Sequence, residues 1–313
     1  MENHKNIFSR TDLAYESYSS SEATEIEGIV LKERQNRGFR ISDVSITTDS
    51  VSKIIGRPKG RYITILSGPL WSLTEKEEHA VISVITSELK KALRRVMKKS
   101  FSQNNTVLVC GLGNEEITAD AIGPKTVSYL TVTRHIKNFN SEIYRSLGSC
   151  SICALRPGVV AQTGIETAEL VHGTAQHVSP DAVLVIDALA ARSCDHLAST
   201  IQLSDTGLEP GSGIGNLRKA INAETLGVPV IAMGVPTVID SSSLIYDALN
   251  RGGINEISND MRDVLENGRR FFVSLKESDM ITKKVSYILS CAINNALLVN
   301  SNNLSERRIN FNK

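Results

Sequence analysis

Residues Asp181 to Arg192 read DAVLVIDALAAR and follow directly on Pro180. Ala182 to Ile186 form an apolar run in which β-branched residues are frequent. Such a run reads as a strand buried on both faces of a parallel sheet. Asp187 then arrives where the strand is expected to end. The carboxyl end of a buried strand is where open α/β sheets keep their sites. A carboxylate placed there is costly unless it has a partner, so the rest of the chain is read with that partner in view.

Working outward, strands and helices alternate. TVLVCGLGN (106–114) is a short apolar strand running into a Gly-rich turn, and GPKTVSYLTVTRHI has a helical spacing with Pro124 in its first turn. SICALRPGV (151–159) is a strand and turn, GIETAELVHGTAQHV is helical, and TIQLSDTGLEPGSGIGN is a strand entering a Gly-rich loop. VPVIAMGVPTVID is a last buried strand, with a helix after it near Ser241 to Leu249. Upstream, Thr74 to Lys99 is the clearest helix. Thr74 and Glu77 fit a capping box, and Val81, Val84, Ile85, Leu89, Leu93 and Val96 recur at three and four residues. Residues 28–67 are β-rich, with a hairpin turn at Asn36-Arg37-Gly38. Residues 1–27 are polar and read as a mobile segment. Thr282 to Val299 has amphipathic spacing, and the last residues form a polar tail. The pattern predicts an α/β fold: a three-layer sandwich with a mainly parallel central sheet, plus a β-rich N-terminal part.

Composition bounds the function. The chain has 313 residues, 41% hydrophobic, with 35 basic and 34 acidic residues and a formal charge of +1. This balance offers no electrostatic case for nucleic acid or a membrane surface. No apolar run approaches the roughly 18 residues that span a bilayer, and the N-terminus has no signal-peptide core. Five cysteines, an odd number, point to free thiols in a reducing, cytoplasmic compartment.

Four constellations could carry chemistry. Asp120, in TADAIGP, follows one strand as Asp187 follows another. If those strands are neighbours, the carboxylates share a crevice, where one can serve as acid and the other as base toward a water. The competing reading makes Asp120 a helix cap and Asp187 a loop-ordering residue. Gly111-Leu112-Gly113-Asn114 lacks the third glycine of a dinucleotide fingerprint and is followed by Glu115 and Glu116, so a structural turn is the better reading. Gly211 and Gly213 lie in a looser loop that could cradle an anion or rim a cleft. Cys150 and Cys153 form a lone C-x-x-C with no companion pair, which reads as packing. His135, His172, His177 and His196 show no ligand spacing, so no metal site is read from the histidines.

The strings SRTDLAYES, VCGLGN, TADAIGP, VTRHI, PGVVAQTGIET, VLVIDALAAR, IQLSDTGLEPGSGIGN and LGVPVIAMGVPTVID, in this order, resemble the germination protease family of spore-forming bacteria, peptidase family A25. The resemblance runs from about Ser9 to Leu249. It implies a fold similar to hydrogenase maturation proteases and an endopeptidase that degrades small acid-soluble spore proteins in the spore core, without a cofactor. It implies catalytic aspartates at Asp120 and Asp187, and assembly as a homotetramer. It also implies a zymogen that removes its own propeptide, residues 1–12, leaving a single peptidase domain over 13–313. In that domain residues 28–67 are the β-rich part, about 73–249 the core and 250–313 a helical extension. Thr11-Asp12-Leu13-Ala14 matches a cleavage motif with the cut between Asp12 and Leu13. The fold likeness leaves a second possibility, a metal-dependent protease using the same aspartates as ligands. The backbone amides of Gly111, Gly113, Gly211 and Gly213 are the candidates to stabilise a developing oxyanion. Glu115, Glu116 and Arg156 depart from the family's pattern.

Overall fold

A computed structural model of the chain describes residues 11–19, 27–98, 101–210, 219–254, 256–268 and 271–299. The N-terminal part begins with a short helix, α1 (Ala14–Ser19), followed by strands β1 (Ile29–Asn36) and β2 (Phe39–Ile46), helix α2 (Asp49–Ile55) and strand β3 (Gly60–Leu66). Gly38, at φ 89°, allows the tight turn between β1 and β2. The long helix α3 (Glu75–Met97) starts at a complete capping box. The Thr74 N–H donates to Glu77 Oε2 at 2.9 Å, and Thr74 Oγ1 accepts the Glu77 N–H. Its stripe of Val81, Val84, Ile85, Leu89 and Leu93 is buried, as the spacing predicts.

The remaining elements alternate. Strand β4 (Thr106–Gly111) is followed by a 3₁₀ turn at Thr118–Asp120 and helices α4 (Ile122–Ser128), α5 (Arg134–Phe139) and α6 (Ser141–Ser146). Then come β5 (Ser151–Leu155), α7 (Val160–Thr163), α8 (Thr167–Val178) and β6 (Ala182–Ala191). After β6 lie β7 (Thr200–Ser204), α9 (Ala223–Leu226), β8 (Val230–Asp240), α10 (Ser241–Arg251), α11 (Asn259–Asn267), β9 (Phe272–Ser274) and α12 (Ser278–Leu297). Among the described residues, nine strands form one sheet in the order β1-β2-β3-β7-β8-β6-β4-β5, with β9 added to β8. The sheet is mixed. β5, β4, β6 and β8 run parallel, while β1, β2, β3, β7 and β8 pair antiparallel. The expectation of a mainly parallel sheet therefore holds for one half, and the β-rich N-terminal part continues the same sheet.

Side chains alternate across β6. Ala182, Leu184 and Ile186 join a core with α3 and α12, whereas Val183 and Val185 join a second core with Ala168, Val171 and Ala175 of α8. Both faces of β6 are thus covered by helices, which makes three layers around the strand. Three boundaries differ from the sequence reading. β6 does not end at Asp187 but runs to Ala191. The helix expected over 123–136 is two helices, because the Thr131 N–H donates to Asn294 Oδ1 at 3.0 Å and Thr133 binds the edge of β5 instead. Thr11–Ser19 is folded rather than loose; residues 1–10 lie outside the described ones. α12 packs Ile288, Leu289, Ala292 and Ile293, none of them exposed, into the core with α3.

Leu289→Ala is expected to lower the unfolding free energy by about 2–5 kcal/mol. Phe139→Ala, at a residue 93% exposed, should change it by roughly 0.5 kcal/mol or less. Urea denaturation of the two variants checks both, and equal effects would contradict the placement of α12 in the core.

Candidate active site

β6 outruns its neighbour. The last β4–β6 pair is Gly111 with Ile186, and the Leu112 N–H closes the ladder on the Ile186 carbonyl at 2.8 Å. Asp187 is the next residue, the first on β6 with no β4 residue beside it. It is 9% exposed, and its Oδ1 accepts the N–H of Ala188 at 2.9 Å. On its other side it stands in register with Gly234 of β8. A Cβ at Gly234 would press within 2.8 Å of Leu189 Cδ2, so the glycine leaves room for Leu189 to lean across. From β4 the chain goes on to β5, at one edge of the sheet, while β6 lies on β4's other flank with β8 beyond it. The carboxyl ends of β4 and β6 therefore border the crevice of a topological switch point.

Asp120 reaches the same crevice from β4. It closes the 3₁₀ turn, its N–H donating to the Ile117 carbonyl at 2.8 Å and its Oδ2 accepting the Asn114 N–H at 2.7 Å. Ala121, not Asp120, is the residue that caps α4. Gly113, at φ 109°, packs against this residue: a Cβ there would collide with the Asp120 carbonyl and lie 2.9 Å from Asp120 Oδ1. Gly111 is packed in the same way against the Gly123 carbonyl. The Gly-rich turn is thus a spacing device that lets the Asp120 segment fold back on β4. Gly211 and Gly213 lie outside the described residues.

Residues that sequence reasoning missed hold the turn. Thr237 Oγ1 on β8 donates to the Ala119 carbonyl at 2.6 Å. From α12, Thr282 Oγ1 donates to the Thr118 carbonyl at 3.1 Å and Asp279 Oδ1 accepts from Thr118 Oγ1 at 2.5 Å. Nothing in the spacing of a lone threonine signals such a role. At the rim Arg156 Nη1 meets Glu115 Oε2 at 3.0 Å. Both are exposed, so the pair contributes little to stability.

The segment Thr11–Ala14 packs beside the far end of β6. The Asp12 N–H donates to the Ala190 carbonyl, and Asp12 Oδ2 accepts the Ala190 N–H, both at 2.8 Å. The rest of the segment leans toward β7, β3 and β2, where Ala14 clusters with Val44, Ile46 and Tyr62. At about 3.3 Å per residue, Ala190 is roughly 10 Å along the strand from Asp187. Gln202 of β7 clamps both sides of the Asp12–Leu13 bond: its Nε2 donates to the Asp12 carbonyl at 2.8 Å and its Oε1 accepts the Ala14 N–H at 2.7 Å. Leu13 is fully buried among Leu189, Ala191, Leu197 and Ile239.

Glu16 anchors this segment. It is 2% exposed and accepts the N–H of Arg192 at 2.8 Å and of Ser193 at 3.0 Å, with further hydrogen bonds to Thr11 Oγ1 and His196 Nδ1. Burial pushes its carboxyl up, but the hydrogen bonds from His196, Thr11 and the Arg192 backbone outweigh it and hold the group below the usual glutamate range. The thiols behave differently. Burial pushes Cys150 up to about 12 and raises Cys153, in keeping with packing roles. Among the described residues, no group of three or more His, Cys, Asp or Glu is placed to hold a metal ion, and no helix is long and apolar enough to cross a membrane.

A family model described as germination protease matches residues 7–269. The chain belongs to the germination protease family. The germination protease of Priestia megaterium is 40% identical over 249 residues, which cover 77% of this chain and 66% of that protein. That of Caldanaerobacter subterraneus subsp. tengcongensis is 38% identical over 316 residues, 92% of this chain and 94% of the relative. That of Clostridium perfringens is 38% identical over 274 residues, with 86% and 81% covered. The matched part of this chain thus spans just under two thirds of the Priestia protein and nearly all of the Caldanaerobacter one.

Glu16 makes stability depend on pH in one direction. Its folded carboxyl titrates below its unfolded value of about 4.3, so its contribution is complete above that pH and is lost as pH falls through the folded value. Glu16→Gln should be less stable near neutrality by about 1–3 kcal/mol, and its stability should decline less steeply below about pH 4. Denaturant titrations at several pH values check this; parallel curves for both proteins would refute it.

Proposed function

We propose that the chain is an endopeptidase that opens the degradation of small acid-soluble spore proteins during germination, in the spore core. Asp120 and Asp187 are its catalytic pair. The observation that carries this reading is that Asp120, in the turn after β4, and Asp187, just past the last β4–β6 pair, border the crevice of the switch point. One carboxylate, ionised, takes a proton from a water as it attacks the scissile carbonyl. The other, protonated, gives its proton to the leaving amine. Negative charge on the carbonyl oxygen calls for donors, for which the amides of Gly111 and Gly113 are the described candidates, the Leu112 N–H being held by the Ile186 carbonyl.

The chain acts first on itself in this reading, cutting between Asp12 and Leu13. The buried docking of Thr11-Asp12-Leu13-Ala14 beside β6 supports a held, inactive state. The Asp12 carbonyl is engaged by Gln202 and lies along the strand from Asp187, so cutting requires the segment to shift. Substrates are cut in the same way, after an acidic residue and before an apolar one, and the working form is a homotetramer. A metal-bound variant of the mechanism would need ligands beyond the two aspartates, and no three-residue grouping among the described residues favours it.

Asp120→Asn and Asp187→Asn should each lower kcat/KM on a peptide bearing Asp-Leu-Ala by about 10²–10⁴-fold, with circular dichroism unchanged. Normal cleavage by either variant would overturn the assignment. Loss of wild-type activity after exhaustive chelation, restored by a divalent cation, would favour the metal-dependent reading.

A further inference from the structure

Granted the proposed cut between Asp12 and Leu13, on which the inference rests, the new N-terminus is made inside the fold. In the uncut chain the Thr11 hydroxyl stands between two groups. It accepts the Leu13 N–H at 3.0 Å and donates to Glu16 Oε2. The residues after the Asp12–Leu13 bond are core residues: Leu13 is 0% and Ala14 1% exposed, each in its own apolar cluster. They stay in place when the bond is cut. Asp12 and Thr11 are held by polar contacts, to Ala190, Gln202, Arg57 and Glu16, and belong to the part that departs.

Hydrolysis adds one water across the bond. The hydroxyl goes to the Asp12 carbonyl carbon, which leaves as a carboxylate, and the protons go to the Leu13 nitrogen, which becomes an ammonium. That ammonium is created at a buried position, where an unpaired charge is costly. We infer that it takes the place of the Thr11 hydroxyl on Glu16, so that Glu16 is the positioning residue for the processed N-terminus. The groups facing this spot are Glu16 from α1, His196 from the 3₁₀ turn after β6, Arg57 from the loop after α2 and Gln202 from β7. Among the described residues, Glu16 is the one anion of this group once Asp12 has gone. The exchange frees the N–H and carbonyl of Ala190, on the edge of β6 that leads from Asp187, for an extended substrate. Glu16 still holds Arg192 and Ser193, so the far end of the strand stays fixed.

The test uses the protein after it has processed itself. Sequencing identifies the new terminus, and the rate at which an amine acylating reagent labels it is followed by mass spectrometry from pH 6 to pH 10. A free α-amine titrates near 7.7–8.0. An ion pair with Glu16 moves the midpoint up by about one unit or more, equivalent to about tenfold slower labelling near neutrality. Burial without an ionic partner moves it down, so the direction of the shift separates the ion pair from a structural role. In Glu16→Gln the midpoint should return to or below that of a Leu-Ala peptide; if that variant does not fold, the wild-type curve against the peptide still decides. A midpoint at or below the peptide's in wild type overturns the inference and leaves the processing site standing. A terminus other than Leu13, or none, overturns both.

Discussion

The structure turns on a mismatch in length between two parallel strands. β4 stops at Gly111 while its partner β6 continues to Ala191. Backbone groups along that overhang still need hydrogen-bond partners in a largely buried setting. The molecule supplies them from side chains and from a distant segment. Asp187 takes the N–H of Ala188, Asp12 takes both groups of Ala190, and Glu16 takes the N–H groups of Arg192 and Ser193. The same requirement that makes the crevice draws the N-terminal segment to the far end of β6.

A shared habit links the carboxylates here. Asp120, Asp187, Asp12 and Glu16 each accept a backbone N–H. Such bonds tie the orientation of a carboxylate to the backbone that donates them. A site built this way keeps its carboxylates close to the backbone that places them. Shifts of the backbone are therefore felt directly by the acidic groups.

The sequence was most readable where burial leaves a clear period. The apolar run before Asp187, the stripe of α3 and its capping box all stand as expected, because each is decided by neighbours within a few residues. The extra length of β6 was hidden, since Ala188-Leu189-Ala190-Ala191 carries little strand preference of its own and is held extended by β8 and Asp12. α2 was missed because a helix of this length shows less than two full turns of period. The break between α4 and α5 has no glycine or proline to mark it; Asn294, far along the chain, makes it. Asp187 was read as closing its strand, whereas it lies four residues inside β6, at the point where β4 stops. Glu16, Thr237 and Gln202 were not legible, since each acts through a backbone group that only the fold brings near.

The two halves of the sheet meet where β3 pairs with β7, Tyr62 opposite Ser204. These partners are on the order of 140 residues apart, so loop closure makes the pairing late. At roughly 5–20 residues per second, a ribosome takes on the order of ten seconds to deliver β7 after β3 has emerged. During that interval the β1-β2-β3 meander is complete but carries a bare strand edge, a template for misplaced pairing. That edge is covered only when β7 docks on β3, so the order of synthesis itself sets how long it stays open.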